Sequence, residues 1–98
     1  MRDDDIELRH LRSFVAVATK LNFSRAAEEL HLTQQSLSAQ IQQLEKRLGV
    51  VLLERTTRRV ELTEAGSALL DEASSALAGI AAGLDRVRRV QVASLWPR

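Results

Sequence analysis

A chain of 98 residues has material for one domain and an appendage, and no more. Hydrophobic residues make up 45% and charged residues 28%, too apolar for a disordered chain and ordinary for a folded soluble one. No apolar run approaches the roughly 20 residues that a membrane span needs, so no membrane contact is expected. The charged start Met1-Arg2-Asp3-Asp4-Asp5 leads into no signal core, and the expected setting is a cytoplasm. With no cysteine in the sequence, disulfides, thiolate nucleophiles and cysteine-ligated zinc are excluded together.

The formal net charge of +1 hides an uneven distribution. Residues 33–59 carry five basic groups (Lys46, Arg47, Arg55, Arg58, Arg59) against two acidic ones (Glu45, Glu54), whereas acidic groups slightly outnumber basic ones on either side. A cluster such as Arg55, Arg58 and Arg59 attracts phosphate even when the whole chain is near neutral. On charge alone, a solvated loop would look the same.

Residues 1–5 read as a tail. Leu8, Leu11, Phe14 or Val15, Ala18 and Leu21 recur at helical spacing and predict an amphipathic helix over 8–20. Asn22-Phe23-Ser24 interrupts it, and Ser24 is the expected N-cap of a short second helix through Leu30. Thr33 caps a third. Leu37, Ile41, Leu44 and Leu48 form an apolar stripe from about Gln34 to Leu48, and Gly49 suits the C-cap. Val51–Arg55 and Arg59–Leu62 are short strand-like pieces around Thr56-Thr57-Arg58, which predicts a hairpin, although its tip has no glycine or asparagine. Thr63 caps again. From Glu64 to about Val92 the chain is rich in alanine and leucine, with Leu70, Ala73, Leu77, Ile80, Leu84 and Val87 alternating by three and four as in a heptad seam. Such a helix is about 40 Å long, longer than the small bundle before it. Part of the seam can pack back on that bundle and the rest needs a partner, for which a second copy of the same helix is suited. Ala76, Gly79 and Gly83 permit close approach at about 1 kcal/mol of propensity per glycine. The alternative is a helix folded wholly back on its own domain. Residues 93–98 read as a hinge or tail.

No catalytic constellation is present. His10 and His31 are the two histidines; they stand on separate predicted elements and read as surface or half-buried structural residues. The glycines form no phosphate-cradling loop, and the pairs Glu28-Glu29 and Asp71-Glu72 are solvated helix faces. No metal, cofactor or enzymatic activity is expected.

The third helix offers a different chemistry. Gln35, Ala39, Gln42 and Lys46 lie opposite its apolar stripe, and Thr33, Gln34, Gln35, Ser36 and Ser38 crowd its N-terminal end. A merely solvated face carries Glu–Lys pairs; this one carries glutamine and serine with no charge before Glu45. Glutamine pairs with adenine, and serine or threonine bonds base edges or phosphates. Two helices joined by a tight turn, the second polar on its outer side, form a helix-turn-helix whose second helix enters the major groove. The helix N-termini at Ser24 and Thr33 offer backbone N–H groups to phosphates. The hairpin forms a basic wing suited to phosphate or to a narrow minor groove.

The runs Leu8-Arg9-His10-Leu11-Arg12-Ser13-Phe14-Val15-Ala16-Val17-Ala18, Phe23-Ser24-Arg25-Ala26-Ala27, Leu32-Thr33-Gln34-Gln35-Ser36-Leu37-Ser38-Ala39-Gln40-Ile41, Leu44-Glu45, Leu48-Gly49, Leu53-Glu54-Arg55 and Leu62-Thr63-Glu64-Ala65-Gly66 closely resemble the N-terminal domain of LysR-type transcriptional regulators. The resemblance covers residues 6 to about 90. It implies a mainly α fold: a winged helix-turn-helix of three helices and a two-stranded wing over 6–63 (helix-turn-helix about 23–42, wing about 51–62), then a long dimerisation linker helix over 64–92. It implies a bacterial, cytoplasmic regulator that binds double-stranded DNA at interrupted inverted repeats as a homodimer. Base contacts carry over to Gln34, Gln35 and Ala39, and wing contact to Arg58. With the residue chemistry above, the candidate DNA-binding set is Ser24, Arg25, Thr33, Gln34, Gln35, Ser36, Ser38, Ala39, Gln42, Arg55, Thr57, Arg58 and Arg59. The candidate dimerisation set is Leu70, Ala73, Leu77, Ile80, Leu84 and Val87.

Two positions depart from the family pattern. Many members have proline where this chain has Gln35, and a larger side chain, often arginine, where it has Ala39. Ala39 can at most touch a thymine methyl, so readout is expected to shift toward Gln35 and Gln42. The effector-binding half of complete members is absent from these residues, and a small-molecule effector is expected to act only through it. The alternative function is a helical protein-interaction module that uses the heptad seam without binding DNA.

Overall fold

The computed structural model describes residues 5–95. Four helices and one two-stranded sheet follow in the order α1 (Leu8–Lys20), α2 (Phe23–Leu30), α3 (Gln34–Leu48), β1 (Leu53–Arg55), β2 (Val60–Leu62) and α4 (Glu64–Leu95). The expected tail, apart from Asp5, and positions 96–98 of the expected hinge lie outside the described residues. Positions 93–95 belong to α4 rather than to a hinge; Ala93-Ser94-Leu95 contains no helix breaker, and the first is Pro97.

The helices pack around Phe14, Val17, Ala26, Leu37, Ile41 and Leu44, all fully buried. The α3 stripe supplies three of these residues, Leu37, Ile41 and Leu44, and burial of each such aliphatic side chain contributes about 1.5–3 kcal/mol. Leu48, the last member of the stripe, is exposed at the end of the helix. Gly49 ends α3 in the left-handed region at φ 75°, as its lack of a Cβ permits.

The joint between α1 and α2 differs from the expected one. Asn22, not Ser24, is the N-cap: its Oδ1 accepts from the Arg25 N–H at 2.9 Å. Capping two residues earlier places Phe23 inside the first turn, where its ring packs against the core. Ser24 is thereby free for another partner. Leu21 and His31, which end α1 and α2, both take the left-handed conformation at φ 50° and 57°, which costs a side-chain-bearing residue about 1–2 kcal/mol.

His10 is fully buried, deeper than a surface or half-buried reading allows. It stands at the third position of α1, where its Nδ1 accepts from the Glu7 N–H at 3.0 Å while the Glu7 side chain accepts from the His10 N–H. This reciprocal capping leaves Nε2 as the protonated nitrogen, 3.1 Å from Gln43 Oε1 on α3.

The sheet is antiparallel with Leu53 opposite Leu62, Glu54 opposite Glu61 and Arg55 opposite Val60. The strands are shorter than the predicted 51–55 and 59–62. Thr56 supplies the missing turn residue: its Oγ1 accepts from the N–H groups of Arg58 and Arg59 at 3.2 and 3.1 Å, while its own N–H donates to the Arg59 carbonyl. A hydroxyl replaces the usual glycine or asparagine at this tip.

Two ties hold the wing to the helices. Glu45 Oε2 accepts from the N–H groups of Leu52 and Leu53 at 2.8 and 3.2 Å. Thr63 Oγ1 donates toward the carbonyl of Val51 at 2.7 Å and accepts from the Gly66 N–H at 3.0 Å, which caps α4. A Cβ at Gly66 would overlap the Leu52 carbonyl oxygen, so only glycine fits where α4 leaves the wing.

Helix α4 is 32 residues long, roughly 48 Å at about 1.5 Å per residue, in a molecule 60 Å along its longest axis. Its first half packs on α1. Leu70 leans on the core, Ala73 is buried and Leu77 is half-buried. These three are therefore wholly or partly occupied by the protein's own helices, and the free part of the seam begins at Ile80. Ile80, Leu84, Val87 and Val90 are 37%, 47%, 65% and 61% exposed.

Candidate nucleic-acid interface

The polar side chains of α3 divide by face. Gln40 and Gln43 turn toward α1: Gln40 Oε1 accepts from the buried Ser13 hydroxyl, and Gln43 receives the His10 bond. Gln35, Ala39 and Gln42 are exposed on the side opposite the Leu37, Ile41 and Leu44 stripe, as the 3.6-residue period requires. Neither Gln35 nor Gln42 makes a side-chain hydrogen bond among the described residues, so both amides are free toward solvent.

At the N-terminal end of α3 the small polar residues bond to one another. Thr33 Oγ1 accepts from the Ser36 N–H at 3.0 Å and lies 3.0 Å from Ser36 Oγ. Gln34 Nε2 donates to Ser24 Oγ at 2.8 Å, which links the first turns of α2 and α3 and leaves Gln34 Oε1 as an available acceptor. Arg25 is exposed on α2.

The wing closes the other side. Side chains alternate along β1: Leu53 is buried and Glu54 exposed. Arg55 returns to the helix-facing side, where its guanidinium carbon lies 4.3 Å from the Phe23 ring centroid and its Nη1 donates to Ser38 Oγ at 2.9 Å. Thr57, Arg58 and Arg59 stand exposed at the tip. Arg59 pairs with Glu61 at 3.1 Å, whereas the Arg58 guanidinium has no ion pair or hydrogen bond among the described residues. Between wing and helices runs an open groove of about 660 Å³ lined by Phe23, Ser24, Gln34, Ser38, Arg55, Arg58 and their neighbours.

Of the candidate set, Ser24, Gln34, Ser38, Arg55, Thr57, Arg58 and Arg59 line this groove, and the set as a whole has unequal freedom. The side chains of Arg25, Gln35, Ala39, Gln42, Thr57 and Arg58 are unengaged among the described residues. Ser24, Thr33, Gln34, Ser36, Ser38, Arg55 and Arg59 also bond within the protein. Sequence reasoning missed Asn22, Phe23, Glu45, Gly66 and the inward glutamines as the residues that shape this surface. Glu45, an acid at the edge of the apolar stripe, was the one local signal. Among the described residues no group of three or more His, Cys, Asp or Glu could hold a metal ion, and no helix is long and apolar enough to cross a membrane.

Residues 8–67 match the family described as bacterial regulatory helix-turn-helix protein, lysR family. The HTH-type transcriptional regulator AlsR of Bacillus subtilis is 50% identical over 84 residues, 86% of this chain and 28% of AlsR. The Hca operon transcriptional activator HcaR of Escherichia coli is 58% identical over 72 residues, 74% of this chain and 24% of HcaR. The chain therefore spans about a quarter of the length of these relatives. Among solved structures, the BenM DNA-binding domain in complex with catB site 1 DNA superposes with a TM-score of 0.84 at 41% identity, over 87% of this chain and 96% of that one. The CbnR DNA-binding domain–DNA complex gives 0.81 at 45% identity, over 87% and 98%.

Proposed function

Because the chain belongs to the lysR family of bacterial regulatory helix-turn-helix proteins, we propose that it binds double-stranded DNA sequence-specifically, as the DNA-binding part of a transcriptional regulator. Helix α3 enters the major groove, and the wing reaches the adjacent backbone or minor groove. The observation that carries this reading is the unengaged outer face of α3, uncharged from Gln35 to Gln42 and carrying two free amides there, together with the unpaired Arg58 on the wing. An amide offers a donor and an acceptor side by side, the pattern that the major-groove edge of adenine matches. Ala39 contributes at most contact with a thymine methyl, so Gln35 and Gln42 carry the specificity. The role is one of binding, not catalysis, and a DNA target places the protein in the cytoplasm.

The exposed distal seam of α4 supports a homodimer. Ile80, Leu84 and Val87 present an apolar row that a second copy covers, and two-fold symmetry in the protein then calls for an inverted repeat in the DNA. In the complete regulator, a small-molecule effector acts through a domain that follows α4.

Selection of binding sites from random duplex DNA tests both parts, followed by affinity measurements at two salt concentrations. The expected result is an interrupted inverted repeat, bound more weakly as salt rises in proportion to the phosphates neutralised. Undetectable or salt-insensitive binding overturns the reading and favours a protein-interaction module built on the seam.

A further inference from the structure

Three arginines mark the wing, and the structure gives them different tasks. Arg58 is free and Arg59 is paired with Glu61, while Arg55 is held against the helices by two contacts of different kinds: a hydrogen bond to Ser38 and a stack on Phe23. Phe23 belongs to α2, Ser38 to α3 and Arg55 to β1, so one guanidinium joins all three parts of the groove.

We infer that Arg55 is a positioning residue that acts through Ser38, fixing that hydroxyl as a hydrogen-bond donor toward DNA. The inference rests on the DNA-binding reading above. A serine hydroxyl has one proton and two lone pairs, and a guanidinium can only donate. Arg55 Nη1 at 2.9 Å therefore occupies a lone pair, and its positive charge turns the hydroxyl proton away from itself. Ser38 sits on α3 at the rim of the groove, so the proton is directed to a ligand lying there. In the major groove the available acceptors are guanine N7 and O6, adenine N7 and thymine O4, whereas the exocyclic amine of cytosine is a donor only. A phosphate oxygen is an acceptor of the same kind. Stacking on Phe23 holds the planar guanidinium in place; a freely rotating cation would not impose a polarity on its neighbour.

The test compares wild type, Ser38→Ala, Arg55→Ala, the double variant and Arg55→Lys in random-site selection and affinity titration, with thermal melting to confirm that each is folded. Ser38→Ala and Arg55→Ala are expected to relax the same single base position, and the second substitution adds no further relaxation to the first. Ser38→Ala lowers affinity roughly threefold to tenfold, the range for one hydrogen bond. Arg55→Lys keeps the charge but loses the planar stack on Phe23, and is expected to relax the same base position as Arg55→Ala. If the acceptor is a phosphate, both variants keep every base preference yet lose affinity non-additively, which supports the same relay with its target on the backbone. Independent losses overturn the inference. So does an Arg55→Ala variant that binds as wild type does, or one whose affinity falls alike on all sequences with a salt slope shallower by about one, the mark of a direct phosphate contact. A wild-type protein that selects no site at all sinks the DNA-binding reading itself, and the inference with it.

Discussion

Helix α3 carries glutamines on two faces, and the comparison between them separates architecture from recognition. Gln40 and Gln43 meet Ser13 and His10 of α1 and satisfy polar groups that the core would otherwise leave unpaired. Gln35 and Gln42, with the same side chain on the same helix, are exposed and bond to no side chain among the described residues. One pair therefore bears on stability and the other on what the surface can bind. Residue type alone is silent on the difference; the position of α1 decides it.

Substitutions that respect this division should have effects that do not mix. The largest is expected at His10→Ala. It removes a fully buried ring, the reciprocal cap of α1 and the bond to Gln43, and is expected to cost about 2–4 kcal/mol in denaturant unfolding. At a permissive temperature the surviving folded fraction is expected to keep the wild-type base preferences, since no outward group is lost; altered preferences would break the division. Gln35→Ala is the converse. Stability is expected to stay within about 0.5 kcal/mol, while affinity for the selected site falls by about 1–3 kcal/mol and one base position relaxes. A site selection identical to that of wild type would return the readout to position 39 or to the DNA backbone.

Smaller effects sharpen the picture. Arg58→Ala is expected to weaken binding alike on all sequences and to reduce the salt slope by about one, as titration at several salt concentrations would show. Loss at a single base position would instead place Arg58 against a base edge. His31→Gly relieves a left-handed residue at the end of α2 and is expected to raise the melting free energy by about 1 kcal/mol at most, with DNA binding unchanged. A destabilised variant would mean that the exposed imidazole makes a contribution that outweighs the strain.

Much of this fold was legible in local pattern. The stripe Leu37, Ile41, Leu44, with the Thr33 and Gly49 caps, marked α3 because a helix face and its ends are short-range features. The outward set Gln35, Ala39 and Gln42 followed from the same geometry. What escaped notice depends on distant residues. Ser13–Gln40 and His10–Gln43 join positions 27 and 33 residues apart, and Arg55 reaches Ser38 across the groove. The Asn22 cap was missed because Asn22 and Ser24 are equally good capping residues, and only the burial of Phe23 distinguishes them. The hairpin tip departed from the usual turn residues because Thr56 offers its hydroxyl to two backbone N–H groups. The seam of α4 is expected to divide between the bundle and a partner, but a heptad pattern cannot say where; the burial of Ala73 and the exposure from Ile80 onward set the division.

The glycine at position 66 has a mechanical consequence. With no space for a single methyl between α4 and the Leu52 carbonyl, and with Thr63 bonding both the strand entry and the helix start, the two elements meet in a stiff weld. The long helix therefore leaves the hairpin without slack at this one point, while the body of its first half rests on α1.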